Sequence, residues 1–148
     1  MLLERKEDLA VTFLVTNLFT DVTGLKIVDG YPVDSLVVPS IAIEAGKIRL
    51  ENFEIGNRGS RRYRKWIIEV YAKNKSQRDE YGYRILNGFD NGIAVYNYDL
   101  GFPPTVVPQL EHLDVVQKEM DIIRIMPELV DKMYYRATIT ISAVNDTV

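Results

Sequence analysis

The clearest pattern in the chain is an alternation of apolar and polar side chains close to its C-terminal end. One set of alternate positions holds Tyr135, Ala137, Ile139, Ile141 and Ala143, and the positions between them hold Tyr134, Arg136, Thr138, Thr140 and Ser142. Successive side chains of a β-strand point to opposite faces, so this spacing predicts a strand with one buried face and one wet face. Such a strand needs neighbouring strands and a cover on its apolar face.

Two helices are predicted to provide that cover. In residues 2–18 the apolar side chains recur at helical spacing, and Gly24 is a suitable stop after them. In residues 76–88, Ser76 and Asp79 have the spacing of a capping box. The buried stripe of this second helix is predicted to hold Gly82, Ile85, Leu86 and Phe89, and the helix to end at Asn87-Gly88 or Asn91-Gly92.

The rest of the chain indicates further strands. Residues 36–55 are β-branched, with a predicted turn at Ala45-Gly46 and a bulge near Glu51-Asn52, and Pro39 marks a strand edge or start. Residues 66–73 are apolar on both faces, which is typical of a central strand. Two more extended segments are predicted at 92–99 and 110–126. The sequence therefore predicts an α+β fold, with a single mostly antiparallel sheet and two helices packed on it, in one domain spanning residues 1–148.

Composition excludes several classes of function. A chain of 148 residues that is 47% hydrophobic can bury a core of its own, and the absence of cysteine excludes disulfides, thiolate metal sites and cysteine nucleophiles. Charged residues follow directly after Met1-Leu2-Leu3, and no apolar run reaches the length of a membrane span. We expect a soluble protein that is made inside a cell and has no contact with a membrane.

The sequence offers little for catalysis. The single histidine, His112, lies between Glu111 and Asp114, but a strand would direct only Asp114 to its side, and one histidine with one acid is short of a metal shell. The segment "GNRGS" (56–60) lacks the spacing and lysine of a phosphate-binding loop. Other carboxylates are expected to be solvated, namely Glu119, Asp121, Glu128 and Asp131. We predict no enzyme activity, no catalytic residue, no metal and no cofactor.

One segment is an electrostatic exception. "NRGSRRYRKW" (57–66) carries five positive charges in a chain of net charge −3, so the remainder of the chain carries −8. It is predicted to form the tip of a long hairpin that projects from the sheet, with Trp66 as a core anchor. Three partners are open for this segment: water, nucleic acid, or an acidic patch on a neighbouring subunit. The candidate interface residues are Arg58, Arg61, Arg62, Tyr63, Arg64 and Lys65.

Several segments taken together resemble a known family. They are "VPSIAIEAG" (38–46), "FEIGN" (53–57), "WIIEVYAKNKSQRDEYGYRIL" (66–86), "GIAVYNYDLGFPP" (92–104) and "YYRATITISAVN" (134–145). In this order they are similar to the tail terminator proteins of long-tailed bacteriophages, also called tail completion or head–tail joining proteins.

The resemblance implies a subunit of a ring, commonly a hexamer, in the tail or neck region of the virion. The ring would cap the finished tail tube, stop its polymerisation and meet a head-completion or connector protein, while DNA passes through its central hole. The family offers no catalytic residues to transfer. Two alternatives stay open, namely a head-completion stopper of the neck and a small nucleic-acid-binding protein that uses residues 57–66.

Overall fold

The computed structural model describes residues 2–30, 38–52, 60–100, 109–123 and 135–147. The elements in chain order are α1 (Leu3–Leu18), β1 (Lys26–Asp29), β2 (Ser40–Asn52), β3 (Ser60–Ala72), α2 (Lys75–Gly88), β4 (Ile93–Tyr96), a 3-10 turn (Tyr98–Leu100), β5 (Gln109–Ile123) and β6 (Tyr135–Thr147). The strands form one six-stranded sheet in the order β1-β2-β3-β6-β5-β4. β1 is parallel to β2, and every other neighbouring pair is antiparallel. The predicted α+β class, with two helices and a mostly antiparallel sheet, is confirmed.

β6 lies at the centre of the sheet, between β3 and β5. Its alternating apolar residues face the core as predicted, since Ile139 and Ile141 are fully buried opposite Ile68 and Trp66 of β3. Tyr135 shares their parity but is 43% exposed, because it is the first residue of the strand. The alternation thus fixes the strand and its buried face, and it weakens only where the sheet ends.

Both helices pack on the face of the sheet that carries these core residues. α1 contributes Val11 and Val15, and α2 contributes Ile85 and, just beyond its end, Phe89. In α2, Gly82 lets the helix approach the sheet closely, because a Cβ there would lie 2.5 Å from the Cε atom of Met120. α1 and α2 therefore cover one face, which we call the helix face, and we call the opposite side the open face. Neither of these helices is long and apolar enough to cross a membrane.

The predicted turn at Ala45-Gly46 is wrong. β2 runs without interruption from Ser40 to Asn52, and the register with β3 shifts between Ala45 and Ile48 instead. Gly46 and Lys47 together lie opposite Lys65 at this bulge. A bulge absorbs an extra residue and lets the hairpin continue, whereas the sequence pattern of small residues alone does not distinguish it from a turn. Of the two predictions made for Pro39, the strand start is confirmed, because β2 begins directly after it at Ser40.

The predicted cap of α2 is also wrong. The N-cap residue is Asn74, whose side-chain oxygen accepts a hydrogen bond of 2.8 Å from the backbone N–H of Gln77. Ser76 instead lies inside the first turn and is exposed. Asparagine is among the best N-cap residues, so a signal as good as that of Ser76 was present two positions earlier. The end of α2 at Gly88 agrees with the prediction.

The projecting basic hairpin is not confirmed. From Ser60 onward β3 is paired on both sides, with Asn52 of β2 and Thr147 of β6 lying opposite its first residue. The residues from Arg61 to Lys65 are therefore held inside the sheet. Arg58 belongs to residues 53–59, which lie outside the described part of the chain. The physical reason for the difference is that α1 supplies carboxylates to the arginines on the helix face.

Candidate functional site

The alternation of β3 divides the basic segment between the two faces of the sheet. Arg62 and Arg64 share the parity of Trp66 and are buried on the helix face. Tyr63 and Lys65 have the opposite parity, as has Arg61, and lie on the open face. The six candidate residues thus do not form one site. Two belong to the interior, three to a surface, and Arg58 is outside the described residues.

The buried arginines are paired with α1. Glu7, which has no exposed surface, accepts hydrogen bonds from both Arg62 and Arg64, the latter at 2.8 Å. Arg64 also donates to the carboxylate of Asp8 at 2.6 Å and to the backbone carbonyl of Glu4 at 3.1 Å. These contacts join the first two turns of α1 to the centre of the sheet.

Trp66 completes this arrangement. Its indole N–H donates to Asp8 at 2.9 Å, and the guanidinium carbon of Arg64 lies 4.8 Å from the centre of its ring. The side chain has no exposed surface. The prediction that Trp66 anchors the core is confirmed, and its ring is not accessible to a nucleic-acid base.

A third carboxylate, on β5, approaches Arg62. Glu111 lies 3.3 Å from Arg62 and accepts a hydrogen bond from the side-chain amide of Asn145. Burial, a hydrogen bond with Glu7 and the negative charge of Glu7 together raise the pKa of Glu111 to about 7, although Arg62 acts to lower it. We call Glu7, Asp8, Arg62, Arg64 and Glu111 the ion cluster. The charges of its two guanidinium groups and three carboxyl groups sum to zero when one carboxyl group holds a proton.

Sequence reasoning missed the ion cluster, although one signal was available. Leu3, Glu7, Val11 and Val15 are spaced four residues apart and form a single row along α1. Val11 and Val15 are fully buried, so the acid in the same row is carried into the core. A lone carboxylate there would be strongly unfavourable, and this indicates that a cation from another element must meet it.

The most exposed charges of the open face lie on different strands according to their sign. Positive side chains lie on β2 and β3, and exposed acids lie on β5. The intervening strand β6 presents Thr138, Thr140 and Ser142 on this face, and its Arg136 is ion-paired with Glu69 of β3. The cations are Lys47, Arg49, Arg61 and Lys65, and the acids are Asp114, Glu119 and Asp121.

A pocket of about 300 Å³ lies among the cations. Lys47, Arg49 and Lys65 line it together with the Tyr63 ring, and Gln117 and Ser142 contribute its neutral side. The guanidinium carbon of Arg49 lies 4.4 Å from the centre of the Tyr63 ring. The pocket is therefore a wide, cationic depression that suits a carboxylate or phosphate group.

His112 and two of the four acids that were expected to be solvated are exposed. His112 is exposed on β5 opposite Ala94 of β4, while Glu119 and Asp121 are exposed further along β5. Glu128 and Asp131 fall in residues 124–134, outside the described residues. Within the described ranges no three histidine, aspartate or glutamate side chains come together in a way that could hold a metal ion.

Comparisons of the chain with protein-family models and with curated proteins give no match.

Proposed function

We propose that this protein is a non-enzymatic structural component of a virion, acting as a tail terminator. Copies of it form a ring, with six as the expected number, at the head-proximal end of the tail tube. The ring stops polymerisation of the tube and provides the surface that joins tail to head. The family resemblance of the sequence supports this proposal, and one structural observation carries it: the exposed cations of the open face lie on β2 and β3, whereas its exposed acids lie on β5.

A face with separated charges suits the docking of other polypeptides. Opposite charges that meet across an interface guide the partners into one orientation, and like charges penalise the wrong ones. The exposed cations of β2 and β3 are separated from the exposed acids of β5 by the strand β6. The partners of the proposal are further copies of the chain, the tail tube protein and a head-completion or connector protein, while DNA passes through the lumen.

The interface is narrower than the sequence suggested. Arg62 and Arg64 are committed to Glu7 and Asp8 in the interior. The residues of the segment that lie on the open face are Arg61, Tyr63 and Lys65, with Lys47 and Arg49 of β2 beside them. Charged side chains at the rim of an interface affect mainly the rate of association and the orientation of the partners.

The test is removal of the gene from a phage that encodes the protein. Tails of uncontrolled length would support the proposal, because nothing would then stop the tube. Tails of normal length beside heads that leak DNA would instead identify a head-completion stopper. Complementation with a Lys47→Glu/Lys65→Glu double variant is expected to fail, whereas Lys73→Glu, an exposed lysine at the end of β3, is the matched control and is expected to succeed.

Nucleic-acid binding is the second candidate, because the pocket brings three cations close to an aromatic ring. Base stacking has little room there, since Arg49 already covers one side of the Tyr63 ring and Trp66 is buried. If this function holds, DNA affinity falls steeply with salt, and neutralising Arg61 and Lys65 lowers the salt dependence by about one phosphate contact each. Retention of DNA at physiological salt by the wild-type protein, lost in that variant, would favour this candidate over the ring.

A further inference from the structure

Two strands, β2 and β5, have outer edges that are only partly paired with other described strands. β1 pairs only with Ser40–Ile43 of β2, which leaves the outer side of residues 44–52 unpaired among the described residues. β4 likewise pairs with β5 only as far as Leu113, which leaves the outer side of residues 114–123 unpaired in the same sense. Long edges of this kind present rows of backbone N–H and C=O groups that can pair with another strand.

Both edges also expose large apolar side chains. On β2, Ile48 is 45% exposed and Leu50 is 66% exposed. On β5, Val116 is 59% exposed and Ile122 is 42% exposed. Edge strands are commonly protected by charges that point inward, by proline or by a covering element. Apolar residues at an unpaired edge favour the addition of a strand from a partner, in the manner of β-augmentation.

The side chains of the two edges are complementary on both faces of the sheet. On the open face, Lys47 and Arg49 of β2 can oppose Glu119 and Asp121 of β5. On the helix face, β2 presents Ile48 and Leu50, whose partners in β3 are Arg64 and Arg62. On that face β5 presents Met120 and Ile122, whose partners in β6 are Ile139 and Ala137. Opposite charges and apolar pairs directly across two strands both stabilise a sheet.

The strand directions are also compatible. β2, β3, β6 and β5 are neighbours in that order and each pair is antiparallel, so β5 runs opposite to β2. A second copy placed beside the first in the same orientation therefore brings its β5 antiparallel to β2 of the first. Its open face continues the open face of the first copy, and its helices lie on the same side.

We propose that the outer edge of β2 in one copy pairs with the outer edge of β5 in the next copy, so that the sheet continues from subunit to subunit. The biological setting of this pairing rests on the proposed function, and the pairing names the surfaces through which the ring closes. The contact is heterologous, because each copy uses β2 on one side and β5 on the other. Repeated contacts of this type form a closed ring when the rotation between copies is right.

The positions of β1 and β4 fit this pairing. The unpaired part of β2 lies toward Asn52, at the end of the sheet where β4 pairs with β5. The unpaired part of β5 lies toward Ile123, at the end where β1 pairs with β2. The next copy is therefore displaced along the strands, and β1 and β4 fill the two corners that the displacement leaves. A stagger between neighbours makes strands tilt relative to the axis of a closed assembly, as they do in barrels.

Paired cysteines test this proposal directly, because the chain contains no cysteine of its own. Arg49→Cys and Asp121→Cys in one chain are separated by three strand spacings of about 4.8 Å, or ~14 Å. A disulfide needs Cα atoms within about 7 Å, so it cannot form inside one copy. Mild oxidation is expected to give a ladder of covalent oligomers on a non-reducing gel, ending at the size of the ring.

The control variant pairs Arg49→Cys with Asn17→Cys, an exposed position on α1, and is expected to give no ladder. Glu119→Cys serves as the second β5 position, since it shares the face of Asp121. If neither β5 position gives more oligomer than the control, the proposed pairing is wrong. Circular dichroism shows whether each variant is folded before oxidation.

Blocked edges provide a second measurement. A variant with Ile48→Lys and Leu50→Lys loses the β2 edge but keeps β5, whereas Ile122→Lys weakens β5 but keeps β2. Each variant alone is expected to sediment as a monomer, and an equal mixture is expected to give a dimer and nothing larger. Assembly of either variant like the wild type would overturn the proposal, as would a wild-type protein that stays monomeric up to ~1 mM.

These results are separable from the proposed function. If the ladder forms while removal of the gene leaves tail length unchanged, the strand pairing stands and the terminator function fails. If tails lengthen without the protein but no ladder forms, the function stands and the copies meet through other surfaces.

Discussion

Glu7→Gln is the most informative single substitution for the fold. It removes a negative charge and changes the volume of the side chain little. Glu7 has no exposed surface and binds both Arg62 and Arg64. Removing one partner of a buried ion pair costs about 3–5 kcal/mol when the remaining charge is left buried without compensation. Arg62 keeps Glu111, and Arg64 keeps Asp8. We therefore expect the lower end of that range, about 3 kcal/mol.

The expected loss can be measured in two ways. Unfolding entropies near 2.1 cal/mol/K per residue give ~0.3 kcal/mol/K for a chain of this length, so a loss of 3 kcal/mol lowers the melting temperature by about 10 °C. Urea titration should show the same loss as a lower midpoint with an unchanged slope. The fluorescence of Trp66 is a suitable signal for both, since it is the single tryptophan of the chain and is fully buried beside the ion cluster.

The matched control is Glu4→Gln, one turn earlier on α1, where the side chain is exposed. Its backbone carbonyl, which accepts the hydrogen bond from Arg64, is unchanged in this variant, so this change is expected to cost less than about 0.5 kcal/mol. A loss below about 1 kcal/mol for Glu7→Gln, or a loss equal to that of the control, would refute the claim that buried charge pairing holds α1 on the sheet.

Three further predictions concern single residues. Because the pKa of Glu111 is raised from 4.5 to about 7 by burial and by Glu7, the folded state holds its proton more tightly than the unfolded state between these values. The contribution of Glu111 to the free energy of unfolding therefore falls as pH rises from 4.5 to 7 and is constant above 7. Glu111→Gln should remove this pH dependence and should be more stable relative to wild type at pH 8. Urea titrations across that pH range measure both effects. Gly92→Ala should lower the melting temperature clearly more than Gly24→Ala. Both glycines have φ near +78°, but only at Gly92 would the new Cβ meet a backbone oxygen, at 2.6 Å. Equal melting temperatures of the two variants would contradict this packing. Asn74→Ala should cost about 1 kcal/mol through loss of the helix cap, whereas Ser76→Ala should change little, and the reverse order would restore the capping box that the sequence suggested.

The ion cluster explains why a basic segment in an acidic chain does not by itself define a binding surface. Arg62 and Arg64 are buried in the ion cluster, whereas Arg61 and Lys65 lie on the open face. A buried ion cluster contributes less to stability than an apolar contact of equal volume, because taking charges out of water is costly. Its geometric effect is to fix where α1 lies on β3, and with it the face that stays open.

The sequence by itself determined the elements whose pattern is local. The alternation of β6, the two helical stripes and the buried parity from Trp66 to Ala72 follow from side-chain directions that repeat every two or 3.6 residues. Asn74 and the bulge at Gly46-Lys47 are local as well, but each competes with an equally good signal beside it, namely Ser76 and a turn at Ala45-Gly46. Predictions failed there because two local solutions of similar free energy were available.

Only the tertiary structure decided which charged side chains are buried and which partners they meet. Arg62 meets Glu7 across 55 residues of sequence and Glu111 across 49. Electrostatic attraction depends on distance in space and on the surrounding dielectric, and neither is present in a one-dimensional pattern. The same holds for the unpaired edges of β2 and β5, since a strand is an edge only by virtue of which other strands lie beside it.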